Sequence, residues 1–194
     1  MTATDPARPM RADARRNYDA VMAAAKQAFA EHGPEAPLDD IAKRAGVGAG
    51  TLYRHFPTRT ALIEAVYRGE ITELSERAHQ LLEELPPFDA LVAWTAEHVT
   101  YVLSRQGLAA SLKASIDANS DTFQLCRTNL YGAAGALVEA AQRSGDIRTD
   151  ITGVDVLRLA HGVGVAGQHA PAGDGERLMA IVVDGLRVKP ENPG

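Results

Sequence analysis

The sequence predicts an all-α protein, and three observations point that way. Apolar residues recur at intervals of three and four along most of the chain, the spacing of one helix face rather than the alternation of a strand. Ala and Leu are plentiful among the 45% of hydrophobic residues, while aromatics make up only 5% and β-branched runs are scarce. The periodic stretches are punctuated by Gly and Pro, as at Gly33-Pro34, Gly46, Pro57 and Pro86-Pro87.

A chain of 194 residues suits one compact unit, or a small domain joined to a larger one. The single Cys126 has no partner for an intrachain disulfide, and MTATDPARPMRADARRN lacks the apolar core of a signal peptide. No run approaches the roughly 18 apolar residues of a membrane span. A cytoplasmic protein with no membrane contact is the expectation. The net charge of -5 is unevenly spread: residues 1–60 carry nine Lys/Arg against seven Asp/Glu, and residues 61–194 eleven against eighteen. A mildly basic head on an acidic body fits a nucleic-acid reader that relies on a few placed cations.

Residues 1–12, with two Pro and scattered Arg, read as a disordered arm. Arg8, Arg11, Arg15 and Arg16 are candidates for phosphate or minor-groove contact, the alternative being a solvated tail. From Asp13 to His32, Tyr18, Val21, Met22, Ala25, Ala28 and Phe29 form one apolar face, and Gly33-Pro34 ends the helix.

Residues 38–57, LDDIAKRAGVGAGTLYRHFP, read as two short helices joined by a Gly turn. Leu38, Ile41, Ala42 and Ala45 face inward, and Asp39, Asp40, Lys43 and Arg44 face outward. Gly46 sits where a left-handed residue ends a helix, and Val47 covers the turn. The second helix opens near Gly48 and turns Leu52 and Phe56 inward, leaving Thr51, Tyr53, Arg54 and His55 outside. This is a helix-turn-helix, whose second helix can enter a major groove.

At these residues the chain resembles the TetR family of dimeric transcriptional regulators. IAKRAGVGAGTLYRHFPTRTALIEAV is similar to the family's DNA-binding signature, and the likeness begins at VMAAAKQAFAEHG and covers about residues 15–68. The resemblance implies that Tyr53, His55 and Arg59 hold phosphates, a task suited to a phenol, an imidazole and a guanidinium. The chain departs from the family at Pro37, where a Thr cap is common, and at Gly48 and Ala49, where a polar pair is frequent. Base reading then falls on Thr51, Arg54, Lys43 or Arg44 and the N-terminal arm, with Ala49 available to a thymine methyl and Gly50 allowing close backbone approach.

Thr58 caps a long helix to about Leu85, where Pro86-Pro87 breaks it. Further helices are expected near 88–106, 108–117, 120–144, 153–169 and 174–187. ALVEAAQRSGDIRTDITGVDVLRLAHGV resembles a loop and helix start of TetR-family bodies, with a capping box at Thr152 and Asp155. Gly162, Gly164 and Gly167 crowd the next helix and serve either a tight helix contact or a break near a ligand pocket. In the family the last two helices form the homodimer interface, for which Val182, Val183 and Leu186 offer an apolar face.

The organisation implied is a disordered arm over 1–12, a helix-turn-helix domain over 13–57, a helical effector-binding and dimerisation domain over 58–189 and a tail over 190–194. Partners follow from the resemblance: a double-stranded palindromic operator, a small-molecule effector and a second copy of the chain, most often in a repressor. Trp94, His98, Tyr101, Phe123, Cys126 and Tyr131 mix apolar surface with polar tips and are the candidate ligand-binding residues, although an amphipathic core would look the same. No GxGxxG, P-loop, GxSxG or HExxH is present, and His98, His161 and His169 show no metal-ligand spacing. No cofactor, metal or catalytic residue is expected. The two competing classes are a helical module for a protein partner and an enzyme using a body cavity.

Overall fold

Helix formation starts earlier than periodicity alone suggests. In the computed structural model, which describes residues 7–104, 111, 121–168, 170, 171 and 173–188, helix α1 runs Ala7–His32. The disordered arm expected over 1–12 is thus corrected for its second half, while residues 1–6 lie outside the described residues. The cause is local: Ala7, Arg8, Met10 and Arg11 favour helix, and Pro9 stands in the first turn, where its missing N–H costs nothing. Val21, Ala25, Ala28 and Phe29 of α1 are buried.

A 3-10 turn, Gly33–Glu35, leads to α2 (Leu38–Arg44) and α3 (Ala49–His55). α1 packs on both. Their join is a Schellman turn: Gly46, at φ +68, donates to the Lys43 carbonyl at 3.1 Å, and Val47 donates to Ala42 at 3.0 Å. Ile41, Ala42, Leu52 and Phe56 are buried, as the periodicity predicts.

Helix α4 runs Arg59–Glu84, capped by Thr58, whose Oγ1 accepts from Ala61 N at 3.1 Å. Two compact units divide inside this helix, between Tyr67 and Arg68, rather than ahead of it at residues 57 and 58. Leu62, Ile63 and Val66 are buried at its beginning, and Leu74, Ala78 and Leu81 further on.

In the second unit, α5 (Pro87–Ser104) packs against α6 (Asp121–Arg143), α7 (Gly153–Gly167) and α8 (Asp174–Leu186). The helix expected at 108–117 lies outside the described residues, Ser111 apart. The core joins Leu91 and Trp94 of α5 to Leu137 and Val138 of α6 and to Val156 and Leu157 of α7. The capping box at α7 forms as expected: Thr152 Oγ1 accepts from Asp155 N at 3.3 Å, and Asp155 Oδ2 accepts from Thr152 N at 2.9 Å.

α7 stays helical through Gly162 and Gly164 to Gly167, so glycine does not break it. A Cβ on Gly164 would stand 2.6 Å from Val102 Cβ, and one on Gly167 would stand 3.0 Å from Leu103 Cδ2. These two glycines therefore serve a close approach of α7 to α5 within the chain, whereas Gly162 faces open space. Beyond α8 the chain is fastened to the loop after α6: Ile147 bridges Arg187, Arg148 N donates to Leu186 at 3.0 Å, and Val188 N donates to Asp146 at 3.4 Å. The Arg187 guanidinium lies 4.1 Å above the Phe88 ring.

Candidate functional site

The first unit presents the side chains that sequence analysis assigned to DNA. Lys43, Arg44, Ala49, Gly50 and Arg54 are exposed, Thr51 is half-buried, and Tyr53 leaves 47% of its surface to solvent. Exposure of so large an aromatic ring on a small head leaves its hydroxyl available to an outside acceptor. Among the described residues Lys43 and Arg54 form no ion pair, so these two cations on α2 and α3 keep their charge outward.

Five other candidates have partners within the head. Arg44 is held by Glu31 of α1, Nη1 donating to Oε2 at 2.7 Å. Arg15 pairs with Asp19 at 3.5 Å and Arg16 with Asp13, so both are engaged along α1; the side chains of Arg8 and Arg11 lie outside the described residues. His55 is half-buried, its ring edge-on to Tyr18 at 5.9 Å and 6.3 Å from Phe56, which makes it a packing residue of the head. Arg59 is the largest departure. Its Nη1 donates to the carbonyls of Pro34 at 2.8 Å and Ala36 at 2.6 Å, fixing the chain that enters α2. These carbonyls face no helix partner, and a cation satisfies them better than water at a half-buried site.

In the second unit the six proposed pocket residues stand on α5 and α6. Trp94, His98 and Tyr101 form an aromatic file on α5: the Trp94 and His98 rings stack 5.9 Å apart, and His98 to Tyr101 is 6.3 Å. Trp94 is spoken for, its Nε1 donating to the Leu74 carbonyl at 2.7 Å. His98 is buried, and among the described residues neither ring nitrogen has a hydrogen-bond partner. Burial, helped by the charge of nearby His161, pushes its pKa down to about 4, so the ring is neutral near pH 7 with one donor and one acceptor unused. Phe123 and Cys126 are buried on α6, whereas Tyr131 is 41% exposed. His169 lies outside the described residues, and among those described no His, Cys, Asp and Glu side chains group to hold a metal ion.

A groove of about 710 Å³ instead lies between α5 and α8. None of the six residues lines it; Val92, Ala96, Val99 and Leu103 of α5 face Met179, Ala180 and Val183 of α8. The available signal was a second apolar stripe on α5, Val92, Ala96, Val99 and Leu103, running beside Leu91, Trp94, His98 and Val102. No described helix is long and apolar enough to cross a membrane.

Comparison with known proteins matches both units. Residues 21–66 match the family described as bacterial regulatory proteins, tetR family, and residues 86–188 match the SbtR-like transcriptional regulator C-terminal domain. The TetR transcriptional regulator SCO0520 from Streptomyces coelicolor is 41% identical with a TM-score of 0.77, over 89% of this chain and 99% of that one. The TetR transcription regulatory protein from Mycobacterium vanbaalenii is 34% identical with a TM-score of 0.75, over 93% of this chain and 100% of that one. The HTH-type transcriptional repressor LfrR of Mycolicibacterium smegmatis is 43% identical over 63 residues, a segment that spans only 32% of either chain. With a helix-turn-helix head that leaves Tyr53 and Arg54 outward, and family matches to head and body alike, the chain belongs to the TetR family of transcriptional regulators.

Proposed function

We propose that the chain is a dimeric repressor, which grips a palindromic operator with two copies of the α2–α3 head and releases it when a small molecule occupies the body. The observation that carries this reading is the outward placement of Tyr53, Arg54 and Lys43 on one head, with both cations free of ion pairs among the described residues. A phenol and two cations give phosphate contact, and the exposed side of α3, with Thr51 and Arg54, is the surface for base edges. Two-fold pairing would set half-sites one helical turn apart, ~34–36 Å, or a multiple of it.

Pairing is supported by an apolar surface on the last two helices. Leu159 and Val165 of α7 and Ile181 of α8 are each about half exposed or more, beside the open Gly162. Repression is the described role of the LfrR relative. The effector must favour the released state, because equal affinity for both states moves no equilibrium.

The test is fluorescence anisotropy on duplex DNA from upstream of the chain's own gene, across a salt series, with sedimentation of the free protein. A steep salt dependence and a dimer that Ile181→Glu dissociates are expected. Salt-independent binding, or a monomer that binds as tightly as the native protein, would refute the reading.

A further inference from the structure

The cations on the outer side of the head are not equivalent. Lys43 of α2 and Arg54 of α3 are exposed and, among the described residues, form no ion pair. Arg44, the last residue of α2, instead reaches Glu31 in the last turn of α1, Nη1 donating to Oε2 at 2.7 Å. The two residues stand 13 apart in sequence, so the pair closes the corner between α1 and α2 rather than a turn of either helix.

With Asp40 and Lys43, Arg44 borders a hollow of about 470 Å³ on α2. In a helix-turn-helix the first helix crosses the DNA backbone while the second lies in the groove, so the exposed end of α2 is where a phosphate arrives. A free guanidinium there would neutralise one phosphate and release one counterion. Bonded to Glu31, the same group is half of a neutral doublet and draws a phosphate far less strongly. Side-chain exposures of 37% for Arg44 and 50% for Glu31 leave both open to solvent. A pair so exposed is held loosely, so its effect on affinity is a small factor and not an abolition of binding.

We propose that Glu31 is a positioning residue for DNA binding, which competes with the DNA backbone for Arg44 and keeps that cation out of phosphate contact. The head then grips with one positive charge fewer than its exposed side chains suggest. Phosphates are alike in every duplex, so the restraint acts on all sequences equally and leaves base choice to α3. The proposal rests on the operator reading above for the DNA, and on the contact across the helix corner for the role of Glu31.

The experiment is a double-mutant cycle on the full chain, read by fluorescence anisotropy across a salt series with two duplexes, one from upstream of the chain's own gene and one of scrambled sequence. Native protein, Glu31→Gln, Arg44→Gln and the double variant should have matching melting temperatures, since both positions are exposed. With Arg44 present, Glu31→Gln should steepen the slope of log affinity against log salt by about 0.9, one further phosphate neutralised. It should also tighten both duplexes about threefold. With Gln at position 44 the same change should have less than half that effect, because no cation is left to free. Equal effects of Glu31→Gln in the two backgrounds would mean that a carboxylate near DNA simply repels it, and would overturn the proposal. A native slope that flattens by about 0.9 in Arg44→Gln would overturn it too, by showing Arg44 already on a phosphate. Salt-independent binding by the native protein refutes the operator reading itself, whereas salt-dependent binding with either of these two patterns refutes the role of Glu31 alone.

Discussion

Arg59, the first residue of α4, donates from Nη1 to the carbonyl of Ala36, 2.6 Å away. The same nitrogen reaches Pro34 at 2.8 Å, so one guanidinium joins the start of the long helix to the chain feeding α2. Hydrogen bonds from a charged donor contribute roughly 1.5–3 kcal/mol each when part-buried. Arg59→Ala is therefore expected to destabilise the protein by about 2 kcal/mol, read as a lower urea midpoint with unchanged slope. DNA affinity should fall with it, and Arg59→Lys should restore part of both. An unchanged urea midpoint with weakened DNA binding would return Arg59 to direct phosphate contact.

Tyr53 is exposed and carries no packing duty that a phenyl ring would not fill. Tyr53→Phe is expected to leave stability within about 0.5 kcal/mol. It should weaken binding to all duplexes alike, whereas Thr51→Ala and Arg54→Ala should change the preferred sequence. Competition among operator variants separates the two classes, and a uniform loss from all three substitutions would contradict this division.

Gly162 and Gly164 occupy one helix and differ in what surrounds them. A methyl group on Gly164 would collide with Val102 of α5, and one on Gly162 would meet nothing within 4 Å. Gly164→Ala should cost about 1–3 kcal/mol through displaced packing. Gly162→Ala in a chain kept monomeric by Ile181→Glu should gain up to about 1 kcal/mol of helix stability. Thermal unfolding of the two variants in that background decides it; equal shifts would remove the close-packing role of Gly164.

His98 titrates at about 4 in the fold against an ordinary 6.5, through burial first and the His161 charge second. Below pH 6.5 the unfolded chain takes a proton here before the folded chain does. Stability therefore falls as pH drops from 6.5 towards 4, and this group contributes no further change above that window. Between pH 7 and pH 5 the loss is about 2 kcal/mol. His98→Phe keeps a ring against Trp94 and should flatten that dependence. Parallel urea midpoints against pH in both proteins would show that the imidazole is not the titrating group.

Much of the head could be read from residue types, because its devices are local. Gly46 takes a positive φ where a helix must end, Thr58 and Thr152 cap the helices that follow them, and Leu52 and Phe56 turn inward by spacing. What escaped depends on partners distant in sequence or without a signature. A backbone carbonyl looks alike at every position, so nothing marked Ala36 as the partner of Arg59. Glu31 captures Arg44 across a helix junction, which spacing within either helix does not reveal. The groove was hidden because α5 is apolar on two sides, and periodicity alone does not tell a core stripe from a stripe lining a cleft.

The tie between Ile147 and Arg187 has a consequence for any molecule that docks on the last helix. α8 is buckled down at its far end before an encounter takes place, by a short bridge, two flanking amide bonds and the Arg187 cation over Phe88. A surface already immobilised loses little conformational freedom on association, so contact made by Ile181 is retained largely as affinity rather than spent on ordering the helix.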